Sequence, residues 1–166
     1  TAIVRVPEGD ITRATRILDA GAQGIVFPHV NTVEEAKSFV AACKYPPVGS
    51  RSMAYGGPQL EYQAVPPEEA MAGGNAETLL VMMIETPTAV KNAAAIAAVE
   101  GVDCLLVGGS DLSATMGIPG QYENPDFVAA IDSVIAAAQG ANVWPGLGGV
   151  YDEALLPGFG GKGMKF

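Results

Sequence analysis

Histidine occurs once in this chain of 166 residues, at His29, and cysteine twice, at Cys43 and Cys104. With no CxxC pair and no Cys/His spacing, the sequence offers neither a structural zinc site nor a disulfide framework. Basic residues are scarce too: nine Lys and Arg stand against 18 Asp and Glu, a formal net charge of −9. No Lys/Arg cluster forms a phosphate-tracking stripe, so nucleic acid and anionic membranes are not expected partners. No apolar run approaches the roughly 20 residues that cross a bilayer. The opening TAIVRVPEGD lacks the charged and apolar segments of a secretory signal. These absences together lead to the expectation of a reduced, cytoplasmic setting. The missing initiator Met, ahead of a strand-like first segment, leads to the expectation that the chain begins mid-protein.

What is present is apolar: 49% of residues are hydrophobic and only 16% charged. Such a composition has ample material for one core, and a single domain over residues 1–166 is expected. Short β-branched or aliphatic runs alternate with stretches of helical periodicity. AIVRV precedes ITRATRILDA, with Asp10 as its candidate cap, and GAQGIVFP precedes NTVEEAKSFVAACK, with Asn31 as cap. A Pro/Gly-rich excursion, YPPVGSRSMAYGGPQ, then LEYQAVPPEEAMAGGN with a Pro-Pro interruption, breaks this rhythm. ETLLVMMIE with TAVKNAAAIAAVE, and GVDCLLVGG with NPDFVAAIDSVIAAAQG, resume it, the latter helix opening at Asn124 or Pro125; ANVWPGLGG adds a further strand. Continuous apolar strands separated by helices predict a parallel sheet with helices packed on it, either an open doubly wound sheet or a (β/α) barrel. In both, chemistry gathers at the carboxyl ends of the strands.

Two strands end there on an acid, Glu85 and Asp111. Neighbouring parallel strands lie about 4.8 Å apart, so acids leaving the same end can converge. Unpaired, they repel, whereas a hard divalent cation held by two carboxylates, with waters and substrate oxygens around it, removes the penalty. The competing reading is that each acid merely caps the helix that follows.

The segment from Gly101 to Met116, IETP at Ile84 to Pro87, and AACKYPPVGSRS resemble the HpcH/HpaI aldolase family, the metal-dependent class II pyruvate aldolases. The likeness runs to about Gly149. It implies a (β/α)8 barrel in which Glu85 and Asp111 bind Mg2+, Mn2+ or Co2+. It also places Arg5, at the end of AIVRV, against the oxygen of pyruvate or its enolate, where negative charge develops. Gly108, Gly109 and Ser110 form a turn whose backbone N–H groups would receive the substrate carboxylate; the family turn commonly has Pro where Gly109 stands. His29 reads as a loop or cap neighbour near the same mouth, since the family usually has an apolar residue there. Arg51 matches a recurring Arg with a structural role. Met83 stands where Gln is common. Trp144 is expected to be packed.

The His and Asp that move protons in the family's first two strands have no counterpart after Thr1, and residues 150–166 form a divergent or truncated tail. The expected fold is therefore α/β, a partial TIM (β/α)8 barrel with about five of eight strand–helix units. The expected activity is aldol cleavage or condensation of 4-hydroxy-2-oxo acids, giving pyruvate and an aldehyde through a metal-stabilised enolate. Oxaloacetate decarboxylation of the macrophomate synthase kind, or a non-catalytic metal-binding fragment, are the alternatives. The full-length family implies a homo-oligomer. Proton transfer would then use groups outside this chain, and the open sheet edges would favour association.

Overall fold

The computed structural model describes residues 1–53 and 56–166, so Ala54 and Tyr55 of the Pro/Gly-rich excursion lie outside the described residues. Strand β1 (Ile3–Arg5) leads to α1 (Ile11–Asp19), and β2 (Gly24–Phe27) to α2 (Val33–Cys43). After a 3-10 turn at Pro58–Leu60 and α3 (Pro67–Glu77) come β3 (Leu79–Ile84), α4 (Pro87–Ala97), β4 (Cys104–Gly108) and α5 (Gly109–Thr115). The order closes with α6 (Pro125–Gly140), β5 (Trp144–Gly148) and α7 (Leu156–Gly161).

The helix starts follow local chemistry. Asp10 caps α1 by accepting from the Arg13 N–H at 2.9 Å, and Asn124 caps α6, with Pro125 in the first helical position. Asn31 is not the cap of α2. That place belongs to Thr32, whose hydroxyl accepts from the Glu35 N–H at 3.2 Å while the Glu35 carboxylate accepts from the N–H of Thr32 at 2.9 Å. Pro66 and Pro67 open α3 instead of interrupting a helix.

The five strands are parallel and lie in the order β1-β2-β3-β4-β5, each beside its sequence neighbour. A doubly wound sheet reverses its order at a switch point; this one does not, which is the arrangement of a barrel arc. Side chains alternate between the sheet's faces. Ile25, Phe27, Leu80, Met82, Ile84, Leu105 and Val107 point to the helix-covered face and join one large core with Leu18, Phe39, Ile96, Phe127 and Ile131. Phe27 stacks on Phe39 with ring centroids 4.1 Å apart. Fully burying one such side chain contributes about 1.5–3 kcal/mol. On the other face Val26, Val81, Cys104 and Leu106 pack with Ile3, Leu79 and Met83, all strand residues. Trp144 begins β5 in register with Cys104. Sharing that face, it is 54% exposed, against the expectation of packing.

The outer edge of β5 is not bare. The Leu147 N–H donates to the Phe166 carbonyl at 3.0 Å and the Lys165 N–H to the Pro145 carbonyl at 2.8 Å, so the last residues lie along it. At the amino end of the sheet Lys44, directly after α2, is 3% exposed. Its Nζ donates to the carbonyls of Asn75 and Thr78 and lies 3.6 Å from Asp103. Arg51 is buried as well, pairing with Asp19 at 2.6 Å and lying 4.7 Å over the Tyr45 ring, which is the structural role expected of it. Among the described residues no helix is long and apolar enough to cross a membrane.

Candidate active site

Glu85 follows the last residue of β3, and its backbone alternates with Ile84, so its side chain turns to the face the helices leave free. It is nonetheless 2% exposed. Three neighbours enclose it. The Thr115 hydroxyl of α5 donates to the Glu85 backbone carbonyl at 2.9 Å. The His29 backbone N–H donates to Glu85 Oε2 at 2.7 Å, and His29 Nδ1 stands 3.3 Å from the same oxygen. The third neighbour is Gly108 of β4: a Cβ there would fall 2.6 Å from both Cγ and Oε1 of Glu85, so the carboxylate occupies the space a side chain would take.

Asp111 reaches Glu85 from the first turn of α5. Burial is the largest influence on the Glu85 carboxyl and raises its pKa; the His29 backbone N–H and imidazole oppose the rise. Asp111 adds to it through side-chain hydrogen bonding and like charge, so the two carboxyls are within each other's reach. Neither acid is a helix cap. Thr86 caps α4, accepting from the Ala89 N–H at 3.0 Å, and Gly108 occupies the cap position of α5 with no side-chain bond.

The rest of the turn is braced from β5. Ser110 Oγ and the Tyr122 hydroxyl both donate to the Gly149 carbonyl, at 2.8 and 3.1 Å. Gly149 has φ of +77°, and a Cβ on it would press within 3.0 Å of Ser110 Oγ. Gly109 is pinned differently, since a Cβ there would lie 2.6 Å from Val150 Cγ2. Arg5 stands apart. Its register with Val26, and through Val26 with Val81, puts it on the same sheet face as Glu85 but four residues lower along the strands. It is exposed, and among the described residues it forms no ion pair.

His29, expected to be only a loop neighbour, is the residue whose importance the sequence understated. Its φ of +53° turns the N–H toward Glu85. The loop around it is fixed: Asn31 Nδ2 donates to the His29 carbonyl at 2.8 Å, the Thr86 hydroxyl donates to Asn31 Oδ1, and Asn92 Nδ2 donates to the Asn31 carbonyl at 2.8 Å.

Neither Glu85 nor Asp111 is paired with a Lys or Arg among the described residues. No group of three His, Cys, Asp or Glu side chains among them is arranged to hold an ion. Two hard oxygen donors at a strand mouth, with a glycine cradle behind one of them, fit a divalent cation that keeps several positions for water and substrate.

The profile of the HpcH/HpaI aldolase/citrate lyase family matches residues 1–154. The chain belongs to that family. It is 42% identical over 158 residues to a 4-hydroxy-4-methyl-2-oxoglutarate aldolase of Chaetomium globosum, a match covering 94% of this chain and 59% of that protein. The crystal structure of an HpcH/HpaI aldolase from Desulfitobacterium hafniense superimposes with a TM-score of 0.91 at 32% identity, over 99% of this chain and 63% of the other. A macrophomate synthase structure matches with a TM-score of 0.80 at 33% identity, over 98% of this chain and 57% of that one. The sequence thus spans about three-fifths of the family members it resembles. The profile also reaches five residues beyond Gly149, where the resemblance read from the motifs stops.

Proposed function

We propose that this chain carries the metal- and pyruvate-binding part of a class II aldolase that reversibly cleaves 4-hydroxy-2-oxo acids to pyruvate and an aldehyde. The observation that carries the reading is the convergence of Glu85 and Asp111, two acids of like charge with no Lys or Arg partner among the described residues, at the carboxyl end of a parallel barrel arc. In this reading the two acids hold Mg2+, Mn2+ or Co2+, which supplies Lewis-acid stabilisation for negative charge on the 2-oxo oxygen.

The chain's own groups bind and orient the substrate, and proton transfer is assigned to none of them. Arg5, without an ion pair among the described residues and four residues below Glu85 on the same sheet face, is the group that the family resemblance assigns to the 2-oxo oxygen through its planar guanidinium. The first turn of α5, uncapped by any side chain, offers the backbone N–H groups of Gly109 and Ser110 to the substrate carboxylate, while the space beside Gly108 is taken by Glu85. In the cleavage direction a general base, assigned to none of these residues, takes the 4-hydroxyl proton, the C3–C4 bond breaks to release the aldehyde, and its electron pair enters the pyruvate enolate. That enolate collects a proton at C3 from the protonated base or from water.

Deuterium exchange at the pyruvate methyl group tests this with no aldehyde present. Exchange is expected to need Mn2+, to stop with chelator, and to weaken in Arg5→Lys, because a point charge does not reproduce the guanidinium fork. Exchange indifferent to chelator refutes the proposal. The likeness to macrophomate synthase favours a second reading, decarboxylation of oxaloacetate. There the C3–C4 bond breaks to release CO2 and leaves the same enolate, so oxaloacetate consumption without aldol cleavage would select it.

A further inference from the structure

Glu85 Oε2 receives two contacts from one residue, the His29 backbone N–H at 2.7 Å and the His29 ring Nδ1 at 3.3 Å. The ring contact is attractive with a proton on Nδ1, the tautomer a carboxylate acceptor selects. Oε1, by contrast, lies against Gly108, where no side chain competes for it. Within the reading of Glu85 and Asp111 as an ion-binding pair, we propose that the His29 imidazole is a positioning residue. It locks the Glu85 carboxylate by its Oε2 edge so that Oε1 meets the cation.

Three features separate this from incidental proximity. His29 holds φ of +53°, a conformation few residues other than Gly, Asn, Asp and His adopt, so the ring is delivered by a loop made for it. The loop is locked to the opposite side of the site: Asn31 holds the His29 carbonyl and in turn accepts from Thr86, the residue after Glu85. The contact is also sheltered from water, since the Glu85 side chain is 2% exposed. Groups that orient a ligating carboxylate typically change metal affinity by 10–100-fold when removed.

The test is titration calorimetry with Mn2+ alone on the whole chain. His29→Gly keeps the backbone donor and tolerates the positive φ but removes the ring; affinity is expected to fall about tenfold. His29→Asn places an amide nitrogen at the same δ position and also tolerates that φ, so affinity is expected to return to within about threefold of wild type. Should His29→Gly fail to fold, His29→Ser, whose hydroxyl is too short to span the contact, replaces it with the same expected loss. Wild-type affinity in a folded ring-less variant overturns the proposal, and so does a loss that Asn does not rescue. Glu85→Gln and Asp111→Asn run alongside: if they too bind Mn2+ normally, the ion site itself is wrong, whereas if they do not, only the role of His29 is at issue.

Discussion

The two ends of β3 each bury a charged group and treat it in opposite ways. At the amino end Lys44 is surrounded by acceptors: two backbone carbonyls take its protons, and Asp103, which also accepts from the Leu80 N–H at 2.8 Å, supplies the opposite charge. At the carboxyl end Glu85 has one backbone donor and one ring nitrogen, and then faces a second acid. A buried charge is tolerable when its hydrogen-bonding capacity is met and costly when it is not. Lys44 is complete within the fold, so its role is to hold helix α2 against the entries of β3 and β4. Glu85 is left with a like-charged neighbour, which on the proposed reading a divalent cation would offset. In barrel enzymes the end that carries stability and the end that carries chemistry differ in this way.

The sharpest way to break the contrast is to remove the acids. Glu85→Ala and Asp111→Ala are each expected to lower Mn2+ affinity at least about 100-fold, since each removes one of the two carboxylates of the proposed site. Metal-free thermal stability should hold or rise in Asp111→Ala, because a repulsion disappears. Unchanged affinity in both variants would show that the acids do not act together.

Lys44→Ala should do the reverse. Stranding Asp103 and two carbonyls is expected to cost about 3–5 kcal/mol in urea unfolding, with Mn2+ affinity per folded molecule unaffected. A loss under about 1 kcal/mol would mean that the amino-end cluster is better solvated than its burial suggests.

Gly108→Ala probes the cradle. A Cβ 2.6 Å from Glu85 Cγ and Oε1 must displace the carboxylate. The expected result is a stability loss of about 1–3 kcal/mol, with weaker Mn2+ binding. Wild-type binding would show that the carboxylate has room to shift.

The smallest effect is in alkaline solution. Burial, the largest influence, lowers the pKa of Lys44, and Asp103 opposes it. Between that depressed value and the ordinary lysine value of 10.5, the unfolded chain binds more protons than the folded one. Stability from this residue is therefore present above 10.5 and is lost as pH falls through the folded value. Denaturation midpoints, compared between wild type and Lys44→Met, should show a rising increment in this window only in the wild type. An identical slope in both would exclude Lys44 as its source.

Much of the carboxyl end was legible because it is written in local signals: an apolar run, an acid, a helix start. The amino end was not. A lysine closing an amphipathic helix reads as solvated, and nothing local announces that Asn75, Thr78 and Asp103 will meet it. His29 escaped for a similar reason, since its strongest contact is made by its backbone, 56 positions from Glu85. The cap of α2 was different: Thr32 and Glu35 form a capping box readable from spacing, and Asn31 drew attention by composition alone. Trp144 shows the limit of periodicity, which assigns residues to faces of a sheet but not the cover over each face.

The carbonyl of Glu85 is tied to Thr115 of α5 and its carboxylate to the loop after β2, so one residue fastens three successive strand–helix units. Seen as a problem of opening, this makes the site a rivet: no one of the three units can peel away without releasing it. Amide protons at His29 and through the first turn of α5 should then exchange with solvent as one cooperative group, with a shared opening free energy that rises when Mn2+ binds. An ion captured at the mouth would thus be felt as slower breathing of loops it never touches.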